Sequence, residues 1–330
     1  MFYDENLNLI YPYKDIVWDS GYGNFGLAAK QSQLIYYFSK LNLNKKICFI
    51  TSVHNFDLDK INKSDVDLIV ANDSDHPSSI TEIPFTKPYV LLGSNFNYPN
   101  YHPFHLLFSS YCALTDNTNF ASSRKYLASC INRSPRITRI YLLHHLRSKS
   151  YYKDLKINWY RLSEGNGPLP DNTHATKELG RELFRQFLIY EKEYPMYKPK
   201  TEYVLCSGIE DYTDSCLNIV AESRLEDIGY LTEKIYKPIR AGQLFLVQGP
   251  PGSISFLRNL GFDVFDDIID HSYDSIADWK TRTDLMLSEL DRIYDQLDTL
   301  YNKTVERRVA NFNWLKSNKL IKDCLPKKLL

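Results

Sequence analysis

Three arginines stand within seven residues in "NRSPRITR" (132–139), and "TEKIYKPIRAG" (232–242) puts a lysine third from the start of a helical pattern. The first turn of an α-helix carries a partial positive charge, so a cation there costs about 0.3–1 kcal/mol. An anion at the same place reverses the sign. Thr232 suits the N-cap and Glu233 suits the first turn, whereas Lys234 suits neither unless an anion is present. Arg133, Arg136 and Arg139 oppose a second helix start in the same way. Guanidinium groups offer a planar fork that matches phosphate oxygens, and Arg136 and Arg139, three apart, share a helix face. The chemistry these residue types point to is recognition of a diphosphate lying between the two helix starts. The other reading of Lys234 is a solvated side chain turned away from the helix end.

Both clusters need an element that ends just before them. Short β-rich runs alternate with helical patterns along most of the chain. Strands are expected at 15–18, 46–52, 66–71 and 89–93, with a helix over "GLAAKQSQLIYYFSKL" between the first two. After the polar stretch "TDNTNFASSRK" (115–125) the alternation resumes. It runs through strand "YLASCI", helix "PRITRIYLLHHLRS", strand "INWYRL", a helix over about 175–192, and strands "EYVLCS" and "LNIVAES". The Thr-Glu-Lys helix, strand "LFLVQ", a helix near "SISFLRNLG" and a long helical end follow. Leu290, Ile293, Leu297 and Leu300 fall on one face of that end, as a packing helix requires. Two successive alternations predict an α/β chain of two units, each with a mostly parallel sheet covered by helices, with the seam near residue 120. In such sheets ligands bind outside the carboxyl ends of the strands, where helix N–H groups point outward.

"GYLTEKI", followed by a small-residue helix, an apolar strand and "GPP", resembles the donor-binding motif of bacterial α-1,3-fucosyltransferases, which are glycosyltransferases of the GT-B type. That family has a strand ending in a Glu-Asn-Ser-like tripeptide before the Thr-Glu-Lys. Here the tripeptide is Ala221-Glu222-Ser223, and the loop is about one residue longer. Arg139 and Leu146 reproduce the family's Arg-x-x-x-x-x-x-Leu spacing. The resemblance spans residues 125–270, and the first 120 residues do not resemble the family's acceptor domain. It implies a GT-B fold: two Rossmann-like domains with a donor cleft between them. Residues 1–120 would form the acceptor side, and 121–330 a nucleotide-sugar-binding domain with a long C-terminal helix. It further implies that Arg139 and Lys234 bind the donor diphosphate, that Glu233 accepts from the ribose hydroxyls, and that Arg133, Arg136, Glu222, Tyr230 and Thr232 belong to the donor side. The implied activity is inverting and metal-independent. It moves a sugar, fucose from GDP-fucose first, to a glycan or glycolipid hydroxyl, as in polysaccharide biosynthesis, with no cofactor. The segment is also similar to viral and surface-polysaccharide glycosyltransferases, whose donors vary, so a UDP-linked donor stays open. So does a non-catalytic nucleotide-sugar or glycan-binding protein on the same fold.

Inversion needs a base for the acceptor hydroxyl. Asp19, His54 and the group Asp73, Asp75 and His76 follow expected strands in the first unit. The competing reading of "ANDSDHPSS" is an Asx-rich surface turn. Gly21, Gly23 and Gly26 have dinucleotide-fingerprint spacing, yet the second strand closes on Ser52 and His54, where that motif needs an acidic residue. The glycines either let the backbone approach an acceptor or the diphosphate, or make a tight turn. His102 with His105, and the adjacent His144 and His145, lack the partners of a metal site and read as structural. No Gly-x-Ser-x-Gly elbow or Walker-type loop occurs.

Lys+Arg and Asp+Glu balance at 40 each, so no global field draws the chain to nucleic acid, and nucleic acid is not expected as a partner. The six cysteines are scattered and none forms a Cys-x-x-Cys pair, which predicts buried thiols in a reducing compartment and a cytoplasmic protein. No run approaches the apolar length of a membrane span. The tail "WLKSNKLIKDCLPKKLL" allows at most peripheral membrane contact, against the simpler reading of a solvated terminus.

Overall fold

The computed structural model describes residues 2–4, 9–11, 47–50, 62–63, 65, 67–72, 86, 88–92, 101–102, 120, 123–132, 136–158, 177–190, 211–222, 225, 231–317 and 319–320. Their strands form two sheets. The first runs β1 (Phe2–Asp4), β2 (Leu9–Tyr11), β3 (Ile47–Ile50), β4 (Leu68–Asn72), β5 (Tyr89–Leu92) and β6 (Tyr101–His102), in that spatial order. β1 pairs antiparallel with β2, and every later pair is parallel. Three of the strands expected here are found, each within two residues of its expected ends, and β1, β2 and β6 are additions. The strand expected at 15–18 and the helix after it lie outside the described residues.

The second sheet has the order β10 (Leu244–Gln248), β9 (Ser215–Ala221), β7 (Tyr126–Ile131), β8 (Lys156–Asn158), all parallel. Every residue of β9 and β10 is buried, as expected of strands covered on both faces. Helix α1 (Ile137–Arg147) links β7 to β8, and α3 (Glu233–Arg240) links β9 to β10. Between them α2 (Arg181–Tyr190) starts after Gly180, whose φ of +83° interrupts the single helix expected over about 175–192. The pair β7–β8 winds one way from the centre and β9–β10 the other, so the strand order reverses between β7 and β9. That is a topological switch point, where the loops leaving adjacent strands part and open a crevice. Strand "EYVLCS" is outside the described residues.

After α4 (Ser253–Asn259), the expected long C-terminal helix is three helices: α5 (Trp279–Ile293), α6 (Leu297–Lys303) and α7 (Val305–Leu315). A 3-10 turn over Tyr294–Gln296 separates the first two. Thr304 separates the others, because its hydroxyl donates to the carbonyls of Leu300 and Tyr301 and competes with the helix ladder. Leu290, Ile293 and Leu297 do share the buried side, while Leu300 is only partly buried. α1 packs on α2 and α5, and α3 packs on α7, so the second sheet is covered on both faces.

Opposite the strand ends that lead into α1 and α3, a buried polar network ties the sheet together. Ser215 and Asn218 both donate to the Ser129 hydroxyl, at 2.7 and 2.9 Å, and Gln243 donates to the Ser215 hydroxyl at 2.6 Å. Beside it Arg124 and Arg308 flank Tyr301 and hold the carbonyls of Ala241 and Gly242. Gly242 has φ +65°, and a Cβ there would meet the Phe120 ring at 2.4 Å, so glycine is required twice over.

Candidate functional site

The switch point places Asn132 and Glu222 directly after two neighbouring strands, β7 and β9. Asn132 extends the ladder by donating its N–H to Asn158 O at 3.0 Å, and Glu222 does so by donating to Gln248 O at 2.9 Å. Buried polar side chains therefore sit at this end of the sheet as well as at the opposite one.

Thr232 is the N-cap of α3, as expected, and its hydroxyl accepts from the Lys234 N–H. The cap is itself held from the strand: Glu222 accepts from the Thr232 N–H at 3.0 Å and from its hydroxyl at 2.6 Å. Lys234 Nζ donates to the same hydroxyl at 2.8 Å and lies 3.8 Å from Glu222 Oε2. The Glu222 side chain is fully buried, and that of Lys234 keeps 20% of its surface. Lys234 is the one residue of α3 with a described side chain that is not buried. The anion that reconciles a lysine with a helix start is therefore present in the protein itself. The electrostatic problem read in the sequence is solved by Glu222, without a ligand.

Arg139 reaches the same strand end from the other side. It is 2% exposed, and its Nε and Nη2 both donate to the carbonyl of Ala221, at 3.2 and 2.9 Å. The guanidinium thus grips the last residue of β9 while the next residue anchors α3. Its charge also bears on Cys130: burial pushes the thiol up to about 12, against the opposing influence of the Asn132 amide and of Arg139. Arg136 does not share this environment. It is the extended N-cap residue of α1 and is exposed, so the two arginines on one expected face divide between solvent and interior.

Two further side chains brace this end, and neither was read from the sequence. Gln248 closes β10 and donates to Thr138 O at 3.0 Å and to the Thr283 hydroxyl at 3.1 Å, joining α1 and α5. Arg282, 2% exposed, donates to the carbonyls of Gly249, Leu225, Ile276 and Ala277. It fastens the loops that follow β10 and β9. Only the lone Arg in the first turn of an amphipathic helix signalled it in the sequence.

No protein-family model matches the chain, and no curated protein does. Among solved structures it is similar to an α-glucosyltransferase in complex with UDP and a mismatched 13-mer DNA, with 11% identity over 89% of this chain and 81% of that one and a TM-score of 0.47. It is similar to the DNA-modifying enzyme β-glucosyltransferase, at 11% over 96% and 98%, TM-score 0.44. An α1,3-fucosyltransferase is similar at 11% over 80% and 82%, TM-score 0.35. All three are glycosyltransferases, at likenesses that leave donor, linkage and acceptor open. The first is bound to DNA and the second modifies it.

Of the expected site residues, the structure brings together Arg139, Glu222, Thr232 and Lys234. Glu233 opens α3, and its side chain is not among those described. Arg133, Tyr230, Gly21, Gly23, Asp19, Asp73, Asp75 and His76 lie outside the described residues. Among the described residues no three His, Cys, Asp or Glu gather as metal ligands, and no helix is long and apolar enough to cross a membrane. His144 and His145 are perpendicular neighbours with ring centroids 5.2 Å apart.

Proposed function

We propose that the chain is a glycosyltransferase that moves a sugar from a nucleotide-diphosphate donor to an acceptor hydroxyl. One observation carries this reading: Arg139 and the Glu222–Thr232–Lys234 group meet at the carboxyl end of β9, beside a topological switch point. That is where an open α/β sheet takes an anionic ligand. The donor diphosphate sits against the start of α3, with Lys234 as its cation and Glu233 on the ribose. The acceptor hydroxyl loses its proton to a base and attacks the anomeric carbon. The bond to the diphosphate breaks, and the leaving group keeps the electron pair. A fixed cation at a helix start favours that developing charge more than the ground state, and it can do so without a metal.

In the fuller reading the fold is of GT-B type, with an acceptor unit over 1–120 and a donor unit over 121–330, in the cytoplasm. The base comes from the first unit, with Asp73, Asp75 and His76 before Asp19. Transfer inverts the anomeric centre, fucose is the first sugar to try, and a glycan is the first acceptor. The resemblance around Thr232, Glu233 and Lys234 supports the choice of fucose.

A panel of GDP, UDP and CMP, followed by melting temperature, tests the donor site. Free ligand at about 100 times its Kd stabilises by roughly 2.7 kcal/mol, a shift of a few degrees. One of the two diphosphates should give it, and no shift with any nucleotide would sink the reading. The matching nucleotide sugar, incubated without acceptor, should then release nucleotide slowly. Binding without release would point to a non-catalytic donor-binding protein.

A further inference from the structure

We propose that Glu222 is a positioning residue: through the Thr232 hydroxyl it holds the Lys234 ammonium at the start of α3, and it makes no contact with the donor. The inference rests on the donor site proposed above and assigns one residue within it. Glu222 is fully buried at the end of β9, and both of its carboxylate oxygens accept from the same residue, Thr232. A threonine hydroxyl has one proton to give. The 2.6 Å contact to Glu222 Oε2 takes it, because an ionised carboxylate accepts only. The lone pairs of Thr232 Oγ1 are left facing the two donors of Lys234, its backbone N–H at 3.4 Å and its Nζ at 2.8 Å. The carboxylate therefore sets the direction of the whole relay, from Lys234 to Thr232 to Glu222. Its charge also lies 3.8 Å from the ammonium, close enough to favour that one place for Nζ over solvent.

A neutral amide at position 222 keeps the shape and loses the direction. Its NH2 would offer a proton to Thr232 Oγ1 and compete with Lys234 for the same lone pairs. The ammonium would then lose Thr232 Oγ1 as an acceptor and Glu222 as a counter-charge, while the fold around it is little altered.

Two measurements test the proposal. Calorimetric titration with a nucleoside diphosphate and with its parent nucleoside separates the phosphate contact from the rest of the donor. Glu222→Gln should weaken the diphosphate about tenfold, the loss expected for one misplaced charge-assisted contact, and leave the nucleoside within about twofold. Thr232→Val should do the same, and Thr232→Ser, which restores the hydroxyl, should rescue binding. Equal losses for nucleoside and diphosphate would place Glu222 on the donor and overturn the proposal, as would an unchanged or tighter diphosphate. The second measurement needs no ligand: urea stabilities of Glu222→Gln, Lys234→Met and the double variant. The relay predicts a double variant clearly less destabilised than the two single losses combined, and additive losses would overturn it. If the unaltered protein binds no diphosphate at all, the donor reading fails, and the stability cycle still decides the relay.

Discussion

Lys234 and Arg139 were conspicuous in the sequence for one reason, a cation at a helix start, and the structure gives them different roles. Lys234 is half of a buried-edge ion pair whose other half, Glu222, lies twelve residues back at a strand end. Arg139 spends two donors on one backbone carbonyl in the interior. The first relation was partly legible, since Glu222 belongs to the tripeptide before the loop. The second was not, because residues 139 and 221 meet only when β7 and β9 pair. Arg139→Ala should therefore be a stability variant as much as a binding one. It strands a buried carbonyl and empties a large site, at a cost of about 2–4 kcal/mol in urea denaturation. Arg139→Lys should recover only part, since an ammonium lacks the fork. A variant as stable as the original would show that the carbonyl grip contributes nothing.

The elements were the most legible level. "YLASCI" became β7 without a residue of error, and α1, α3 and α4 start within two residues of their expected places. These segments combine clear periodicity with burial on a known side. The C-terminal helix was misread because its apolar spacing runs on across the turn at Tyr294 and the break at Thr304, where local hydrogen bonding prevails. Periodicity records which side is buried and says little about a helix's continuity. The loop from Val264 to Tyr273 holds a further device that periodicity does not show. His271 Nε2 donates to Val264 O at 2.8 Å, its Nδ1 faces the Tyr273 hydroxyl at 3.2 Å, and that hydroxyl accepts from the Val247 N–H. A neutral imidazole fits this chain of bonds, with Nδ1 accepting from the Tyr273 hydroxyl. Burial lowers His271 from its ordinary value of 6.5, more than the bond to the Val264 carbonyl and the charges of Asp266 and Asp274 raise it, with Arg258 adding to the lowering. Burial lowers His144 and His145 as well. The unfolded chain therefore takes up protons first as the pH falls. The stability these groups permit is complete above pH 6.5 and declines as the pH drops through 6.5 toward their folded values. Urea midpoints between pH 7.5 and 5 should fall accordingly, and His271→Gln should flatten the slope. A midpoint independent of pH would contradict the assignment.

At the scale of the whole molecule, the α/β class and its mostly parallel sheets followed from strands and helices in alternation. The order of those strands did not. That β9 neighbours β7, and that the winding reverses between them, depends on pairing across some ninety residues, which no local pattern encodes. The reversal gives the site its place, since it sets the ends carrying Asn132 and Glu222 side by side. It also explains why this end of the sheet is braced so heavily, by Gln248 onto α1 and α5 and by Arg282 onto the loops after β9 and β10. A site for a charged ligand works by keeping its groups in place, and the buried polar contacts here all serve to fix strand ends and helix starts. The claim that this end binds a donor diphosphate is tested most directly by calorimetry on the unaltered protein and on Lys234→Met, with the nucleoside diphosphate that gives the melting shift and with its nucleoside. The variant, still folded, should lose at least about tenfold in diphosphate affinity and almost none for the nucleoside. A folded variant that binds the diphosphate as tightly as the original would contradict it.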